Sequence, residues 1–400
     1  MKLFYYELRK SFLRKHVIVL LILLSVLDVV KIGLDRYQGS IDSLYLEKKE
    51  QREAFEQLYK KTKGKFTDST LQFITSEEKR LGEIYDKRLY YSAPDEVTYC
   101  GNLYEDYRIL EVYIAKEFHY MHEYETYSNE ITALALDNIA YYEEKGNLLK
   151  VRENKFIADN YSNRSVKEFY RTNSIMGYLN NYFSTILIIF MCFLGVAPVF
   201  GGEYDCKMYY ILSTSKKGGL NSTLIKILSS LLFSWAVVLW FFVLDFAAYQ
   251  IVFGFEGLNN PVWAIPEFKE SFLNCNIQSF LLHGILLKLL AVISVSMVIL
   301  FLSLLLKKMI YVSLAFLILL AGWYAAGNFI SSLSRWKRIL ALWNPIALFR
   351  NLNLYQGFHY MEFGSRFILE STMCIIGNVV MSVAVIVLIL LVKRRAEKCG

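Results

Sequence analysis

The sequence predicts an all-α membrane protein with six transmembrane helices and a large, mainly helical domain between the first and the second. Three observations support this fold class. The 400 residues are 55% hydrophobic and 16% aromatic. Six apolar runs are long enough, as helices, to cross a hydrocarbon layer of about 30 Å. A single polar block of roughly domain size separates the first run from the second.

The apolar runs and the segments between them divide the chain into twelve parts. These are an amphipathic helix (1–16), the first span (17–34), the helical domain (35–177), the second span (178–200), a charged loop (201–223), the third span (224–253), a loop (254–278), the fourth and fifth spans (279–306 and 309–330), interfacial or re-entrant helices (331–370), the last span (371–392) and a tail (393–400).

The basic residues predict the orientation of the spans. Lys and Arg collect in the short loops on the cytoplasmic side of membrane proteins. Six spans place four basic clusters on one side: Arg9–Lys15, Lys216-Lys217, Lys307-Lys308 and Lys393–Arg395. We therefore expect both termini and the charged loop to be cytoplasmic and the helical domain to be extracellular. Arg335, Lys337 and Arg338 are exceptions, because they fall on the outer side.

Charge is divided unevenly along the chain. The block from Asp35 to Gly177 holds 21 Lys and Arg against 26 Asp and Glu, whereas the remainder holds 23 against 11. The basic excess belongs to the membrane part, where topology explains it. The sequence contains no nucleic-acid module, so we expect a lipid environment and no nucleic-acid partner.

The helical domain is predicted from apolar residues at helical spacing, such as Phe55 and Leu58. Gly64, the turn at 92–94 and Gly146 are its candidate breaks. Its many tyrosines are interpreted as amphipathic packing, with a ligand cage as the alternative. The six cysteines form no CxxC pair, and whether Cys100 and Cys275 pair is left open, with free thiols as the default.

No enzymatic motif stands out. The phosphate loop GxxxxGK[ST], whose backbone amides cradle phosphates, is absent from the sequence. His119 and His122 share a helix face, but they lack the further ligands of a metal centre and are interpreted as a solvated surface. We predict no catalytic residue, no metal and no cofactor in this chain.

Three of the charged residues inside the apolar runs lie at a similar depth. Asp28, Asp245 and Lys288 each occur within the outer part of a span, at a shared depth of roughly 10 Å. Charges at such depth face the bundle interior, where they pair or line a pathway. We predict an Asp245–Lys288 pair with Asp28 facing the same space, as a substrate pathway. The alternative is that the charged side chains, Lys31 and Lys288 above all, extend to the headgroups.

Two segments carry a family resemblance: the charged loop (201–223) and Asn344-Pro345 in the segment before the last span. Glu203-Tyr204, the apolar stretch Tyr209–Leu212, the basic turn Lys216-Lys217 and Lys226 follow one another in order. This order resembles the cytoplasmic loop after the second span of ABC-2 type exporter permeases, and Asn344-Pro345 resembles the Asn-Pro before their last span. Two departures are Lys207, where the family often has Gly, and Ser215, near which it often has Pro.

The resemblance implies a permease subunit without its own ATPase. Two ABC ATPase subunits would supply ATP and Mg, and a second permease copy or a paralogue would complete the assembly. The docking residues would be Glu203, Tyr204, Asp205, Tyr209, Lys216 and Lys217. The implied cargo is an amphipathic molecule or a peptide, such as an antimicrobial peptide or lantibiotic, and lipids, cell-wall polymers, drugs and sodium are the alternatives. The implied location is the bacterial plasma membrane, with multiple spans.

A second function stays open from the sequence alone. A non-transporting receptor or scaffold would also use a ligand-sensing outer domain and recruit a partner inside. Only the permease requires a bound ATPase at the loop that contains Glu203.

Overall fold

The computed structural model describes residues 2–37, 46, 48–86, 98–208, 219–328, 335–364 and 366–399. Within these ranges, six helical segments are long and apolar enough to cross a membrane, which confirms the predicted number of spans. They are Lys15–Arg36, Asn173–Val199, Leu220–Val252, Ile277–Leu306, Met309–Ala326 and Glu370–Arg395.

The described helices are numbered in chain order. They are α1 (Lys2–Ser11), α2 (Lys15–Tyr37), α3 (Lys49–Thr62), α4 (Asp68–Asp86), α5 (Leu103–Leu110), α6 (Lys116–Glu144), α7 (Leu148–Tyr161), α8 (Asn173–Leu179), α9 (Tyr182–Val196), α10 (Gly201–Asp205), α11 (Leu220–Val252), α12 (Ile277–Leu306), α13 (Met309–Asn328), α14 (Arg335–Leu342), α15 (Pro345–Phe349) and α16 (Glu370–Cys399). One π-helical turn, Glu111–Ala115, joins α5 to α6.

The fourth span, α12, lies at the centre of the bundle and packs against the second, third, fifth and sixth spans. Apolar side chains occur on every face of α12, which is typical of a buried helix. Serines link it to its neighbours: the Ser296 and Ser234 hydroxyls are 2.6 Å apart, and those of Ser294 and Ser382 are 2.8 Å apart. Such small polar residues let membrane helices approach closely and hydrogen-bond.

The second span is two helices rather than one. α8 ends at Leu179, and α9 begins at Tyr182 after Asn180 and Asn181. A 3₁₀ turn at Ala197–Val199, which contains Pro198, ends it as the sequence suggests.

The helical domain consists of α3 to α7. α6 and α7 form a helical hairpin, since they pack along each other and only three residues join them. Two of the predicted breaks lie between helices with positive φ, Gly64 at +104° and Gly146 at +66°, a conformation that glycine adopts without strain. The predicted turn at 92–94 lies outside the described residues.

The prediction of an all-α chain needs one correction. Two antiparallel pairs of short strands occur, β1 (Gly64–Lys65) with β2 (Glu168–Phe169) and β3 (Tyr360–Phe363) with β4 (Arg366–Leu369). The second pair is a hairpin in the segment for which we predicted interfacial helices, so this segment is α-helical only at α14 and α15 among its described residues, and their place at the interface stays a prediction. Gly364, at φ +62°, makes the turn, and the Tyr360 and Phe367 rings pack 5.3 Å apart.

The loop before the fourth span joins the helical domain. Trp263 packs its ring against Tyr124 at 6.3 Å, so the indole lies in the helical domain, although an aromatic residue in a loop beside a span is typical of the membrane-interface belt. Arg164, only 2% exposed, lies over the rings of Tyr161 and Trp263, 4.5 Å from each centroid. Its guanidinium donates to the Ser271 carbonyl at 2.8 Å. Cation–π contact and a buried hydrogen bond therefore hold the domain on this loop.

Candidate functional site

α10 follows the second span at the opposite end of the bundle from the helical domain. Its residue Glu203 is 4% exposed. Lys10 of α1 donates to Glu203 Oε1 at 2.7 Å, and Lys226 of α11 donates to Oε2. Lys226 is itself 4% exposed. One buried carboxylate thus holds the N-terminal helix, α10 and the foot of the third span together.

Further contacts extend this group, which we call the Glu203 node (Lys10, Glu203 and Lys226). The rings of Phe12 and Phe233 stack 4.5 Å apart and attach the end of the N-terminal helix to α11. The Lys307 ammonium lies 5.6 Å from the Tyr204 ring centroid, beside the turn between the fourth and fifth spans. α10 also packs against the ends of both those spans. A displacement of α10 would therefore act directly on the N-terminal helix and on the third, fourth and fifth spans.

Three of the six predicted docking residues lie in the described part of the chain. Glu203 faces inward, Tyr204 is half-buried, and Asp205 is exposed. Of these three residues, Asp205 is the best placed to contact another protein. Tyr209, Lys216 and Lys217 lie outside the described residues. Their docking role stays a prediction, and for Glu203 the geometry favours holding α10 in place.

Lys207 is one of the two departures from the family pattern, and its backbone conformation is unusual for a lysine. It follows α10 with φ at +57°, in the left-handed region that glycine occupies readily. The backbone at this position therefore has the conformation that the more usual glycine would suit.

The intramembrane charges converge between the first four spans. Asp28 is 0% and Asp245 4% exposed, and their carboxyl groups face each other. Lys288 interacts electrostatically with both carboxyl groups, although within the described chain it forms no ion pair with either of them inside 4 Å. Lys31 instead pairs with Asp35 at 2.5 Å and lies 3.4 Å from the Asn181 side chain. The structure brings all three predicted pathway residues together.

This carboxyl pair is poorly satisfied. In the described part of the chain, both oxygens of Asp28 and Oδ1 of Asp245 have no hydrogen-bond partner of ordinary geometry. Buried carboxyl groups without partners are costly, and at membrane depth they mark functional positions. Lys288 also borders a cavity of about 20 Å³, with Tyr178 and Asn351 on its other walls. That volume holds about one water molecule.

The two histidines do not converge. His119 Nε2 lies 2.9 Å from both carboxylate oxygens of Glu78, whereas His122 packs against the Phe66 ring at 5.3 Å. Cys100 and Cys275 are free thiols, which agrees with the default interpretation.

Sequence reasoning missed two functional contacts. Lys10 lies 193 residues from Glu203, and no local pattern signals that they meet. Arg338 pairs with Glu370 at the start of the last span, which neutralises one of the three basic residues that are exceptions to the predicted orientation. The sequence did contain a signal for this pair, because Glu370 opens the last span and the preceding segment carries basic residues that the predicted orientation does not explain.

Comparison with protein-family models matches residues 30–392 to the family described as "ABC-2 family transporter protein". Comparisons with curated proteins and with solved structures gave no significant match. The family match covers four of the six spans entirely, most of the last span, the end of the first span, the helical domain and α10. The chain therefore belongs to the ABC-2 family of transporter proteins.

Proposed function

We propose that the chain is the permease subunit of an ATP-driven exporter and that α10 receives the motion of a bound ATPase. The observation that carries this proposal is the Glu203 node. A buried carboxylate bonded to two lysines on different elements makes a stiff joint between one short helix and several spans. A joint of this kind suits the transmission of force better than the capture of a diffusing ligand.

The arrangement of partners follows from this role. Two ATPase subunits dock on the cytoplasmic side at α10, and a second permease copy or a paralogue completes the membrane unit. The helical domain then lies outside the cell, in agreement with the basic clusters on the α10 side. ATP and Mg belong to the ATPases.

Co-purification tests the docking surface. Asp205 is exposed at the end of α10, so Asp205→Lys should weaken binding of an ATP-hydrolysing subunit while the permease stays folded. The matched control is Glu125→Lys, the same charge reversal at an exposed site on the helical domain. An ATPase that co-purifies equally with both variants would place the contact elsewhere, and the absence of any ATPase partner for the wild-type chain would favour a receptor.

The cluster of Asp28, Asp245 and Lys288 is proposed to line the cargo pathway. Its three residues belong to the first, third and fourth spans, and in the described part of the chain both oxygens of Asp28 and Oδ1 of Asp245 have no hydrogen-bond partner. The cargo is proposed to be a cationic, amphipathic peptide, because such a molecule complements both buried carboxyl groups and the acidic helical domain. Antimicrobial peptides and lantibiotics belong to this chemical class.

The charge of each residue in the cluster predicts how much its replacement lowers the stability of the protein. Lys288→Met removes one of the two lysines that act on the facing carboxyl groups and leaves Lys31, which already pairs with Asp35, so we expect a loss of about 2 kcal/mol or more in stability. Asp28→Asn leaves one acid and one base and should cost much less, while it lowers transport. Thermal unfolding and ATP-driven peptide transport would be measured on both. Equal stability of the two variants together with unchanged transport would remove the pathway role.

A further inference from the structure

An open cleft lies between α6 and the loop before the fourth span. Its volume is about 520 Å³, which is in the range of small-molecule and side-chain binding sites. Three tyrosines at helical spacing form one wall, acidic residues line the opening, and the loop supplies a lysine. The lining residues are Tyr120, Glu123, Tyr124, Thr126, Tyr127, Glu130 and Lys269.

The aromatic wall is held rigidly. The Tyr120 hydroxyl donates to the Trp263 carbonyl at 2.8 Å, and the Tyr124 hydroxyl donates to the Lys269 carbonyl at 2.8 Å. Burial raises the pKa of Tyr124 to about 12, so its hydroxyl stays neutral and remains a donor at physiological pH. Because these bonds fix the rings before any ligand arrives, little side-chain entropy would be lost on binding.

The wall already carries an ammonium group. The Lys269 Nζ lies 3.7 Å from the centroid of the Tyr127 ring, within cation–π distance. In the described part of the chain, Lys269 forms no ion pair with a carboxylate. The lysine is therefore held by the aromatic face and by the surrounding negative potential, which shows what kind of group the cleft accepts.

The charge of the cleft is not balanced. Glu123 and Glu130 are exposed at its edge, and Tyr127 feels the charge of Glu270 and, with the opposite sign, that of the buried Arg164. Among the described residues that line the cleft, Lys269 is the one basic residue, so three carboxylates face Lys269 and Arg164. Aromatic faces next to carboxylates favour an ammonium or guanidinium group over a neutral or anionic one.

We propose that this cleft binds the lysine or arginine side chains of a cationic, amphipathic peptide, with the apolar part of the peptide on the tyrosines. This inference rests on the proposed function, since it gives the exporter its binding site for cargo. Lys269 occupies the same aromatic face as the incoming cation, so it competes with the ligand. Removal of its charge should strengthen binding, whereas removal of the edge carboxylates should weaken it.

Binding would be measured with the full chain in nanodiscs of neutral phosphatidylcholine, which limits adsorption of the peptide to lipid. The probe is a labelled amphipathic peptide of Leu and Lys, and its neutral counterpart has Gln in place of Lys. The double variant Glu123→Gln/Glu130→Gln should weaken binding of the Lys peptide by about tenfold. The matched control, Glu125→Gln/Glu143→Gln, removes the same charge from exposed sites of α6 outside the cleft and should bind as wild type does.

The variant Lys269→Gln gives a result of the opposite sign. We expect it to bind the Lys peptide several-fold more tightly, a gain that partial unfolding cannot imitate. Equal binding of the Lys and Gln peptides to the wild-type chain would overturn the proposal. Weaker binding by Lys269→Gln, or an equal loss in the control double variant, would overturn it as well.

Failure of the peptide-binding cleft can be distinguished from failure of the proposed function. Loss of the cleft site would leave ATPase co-purification and its sensitivity to Asp205→Lys intact. Conversely, a chain that binds the peptide in the cleft but recruits no ATPase would be a receptor, because recognition and energy supply lie at opposite ends of the bundle.

Discussion

Replacement of Glu203 by Gln should destabilise the bundle through the lysines that it leaves behind. Glu203 and Lys226 are each 4% exposed, and the Lys10 side chain is 18% exposed. The variant would leave Lys226 charged and buried without a carboxylate. Loss of one partner of a buried pair costs 3–5 kcal/mol, and because Lys10 can reach water we expect about 3 kcal/mol. That corresponds to roughly a hundredfold change in the unfolding equilibrium constant.

A double-mutant cycle measures this coupling directly. Lys226→Met keeps the bond from Lys10 to Glu203 and should cost about 1–2 kcal/mol. The double variant Glu203→Gln/Lys226→Met removes both buried charges, so its stability should lie close to that of Lys226→Met and above that of Glu203→Gln alone. Free energies of unfolding would come from denaturant titrations followed by the fluorescence of the six tryptophans.

Two results would refute this reasoning. Additive losses in the cycle would mean that Glu203 and Lys226 do not interact as the structure shows. A Glu203→Gln variant with unchanged stability that no longer retains an ATPase would make Glu203 a direct docking residue rather than part of a buried joint.

Two further predictions concern packing and pH. A Cβ at Gly377 of the last span would lie 2.1 Å from Trp343 Cδ1, so Gly377→Ala should cost about 1–3 kcal/mol of stability. The control is Gly322→Ala, which should be neutral or slightly stabilising because a Cβ there would have nothing within 4 Å. Equal melting temperatures of the two variants would contradict this prediction. Burial alone would raise the pKa of Glu256, but its bonds from Lys63 and Tyr59 hold the pKa below 4.5. The stabilisation by this exposed pair, under about 1 kcal/mol, is present above pH 4.5 and is lost as pH falls through the lower, folded-state pKa. The difference in stability between wild type and Glu256→Gln should therefore shrink on acidification, and a constant difference from pH 7 to pH 3 would be inconsistent with it.

The spans and the intramembrane cluster could be predicted because each depends on local properties. Apolar length alone places a helix across a bilayer. Asp28, Asp245 and Lys288 were expected together because each lies at a similar depth of its own span, and charges at that depth avoid lipid. Neither inference requires knowledge of how distant segments pack.

The contacts that were missed depend on long-range packing. The partners of Glu203 come from the N-terminal helix and the third span, and only the assembled bundle brings them to one carboxylate. Trp263 looked like an interfacial residue because its loop flanks a span, yet the loop folds into the helical domain. The hairpin Tyr360–Leu369 was missed because its strands are four residues long, too short for a clear alternating pattern.

Cysteine labelling tests the central claim, that α10 meets a cytoplasmic ATPase while the helical domain lies outside. Cys206, next to α10, is exposed, whereas burial raises the pKa of Cys100 to about 12 and also raises the pKa of Cys275, so both react slowly. A second reporter, Glu125→Cys, places an exposed thiol on the helical domain. With a membrane-impermeant maleimide, Cys206 should be labelled only in inside-out vesicles and the residue-125 thiol only in intact cells. Labelling of Cys206 from outside, or of position 125 from the cytoplasmic side, would contradict the account.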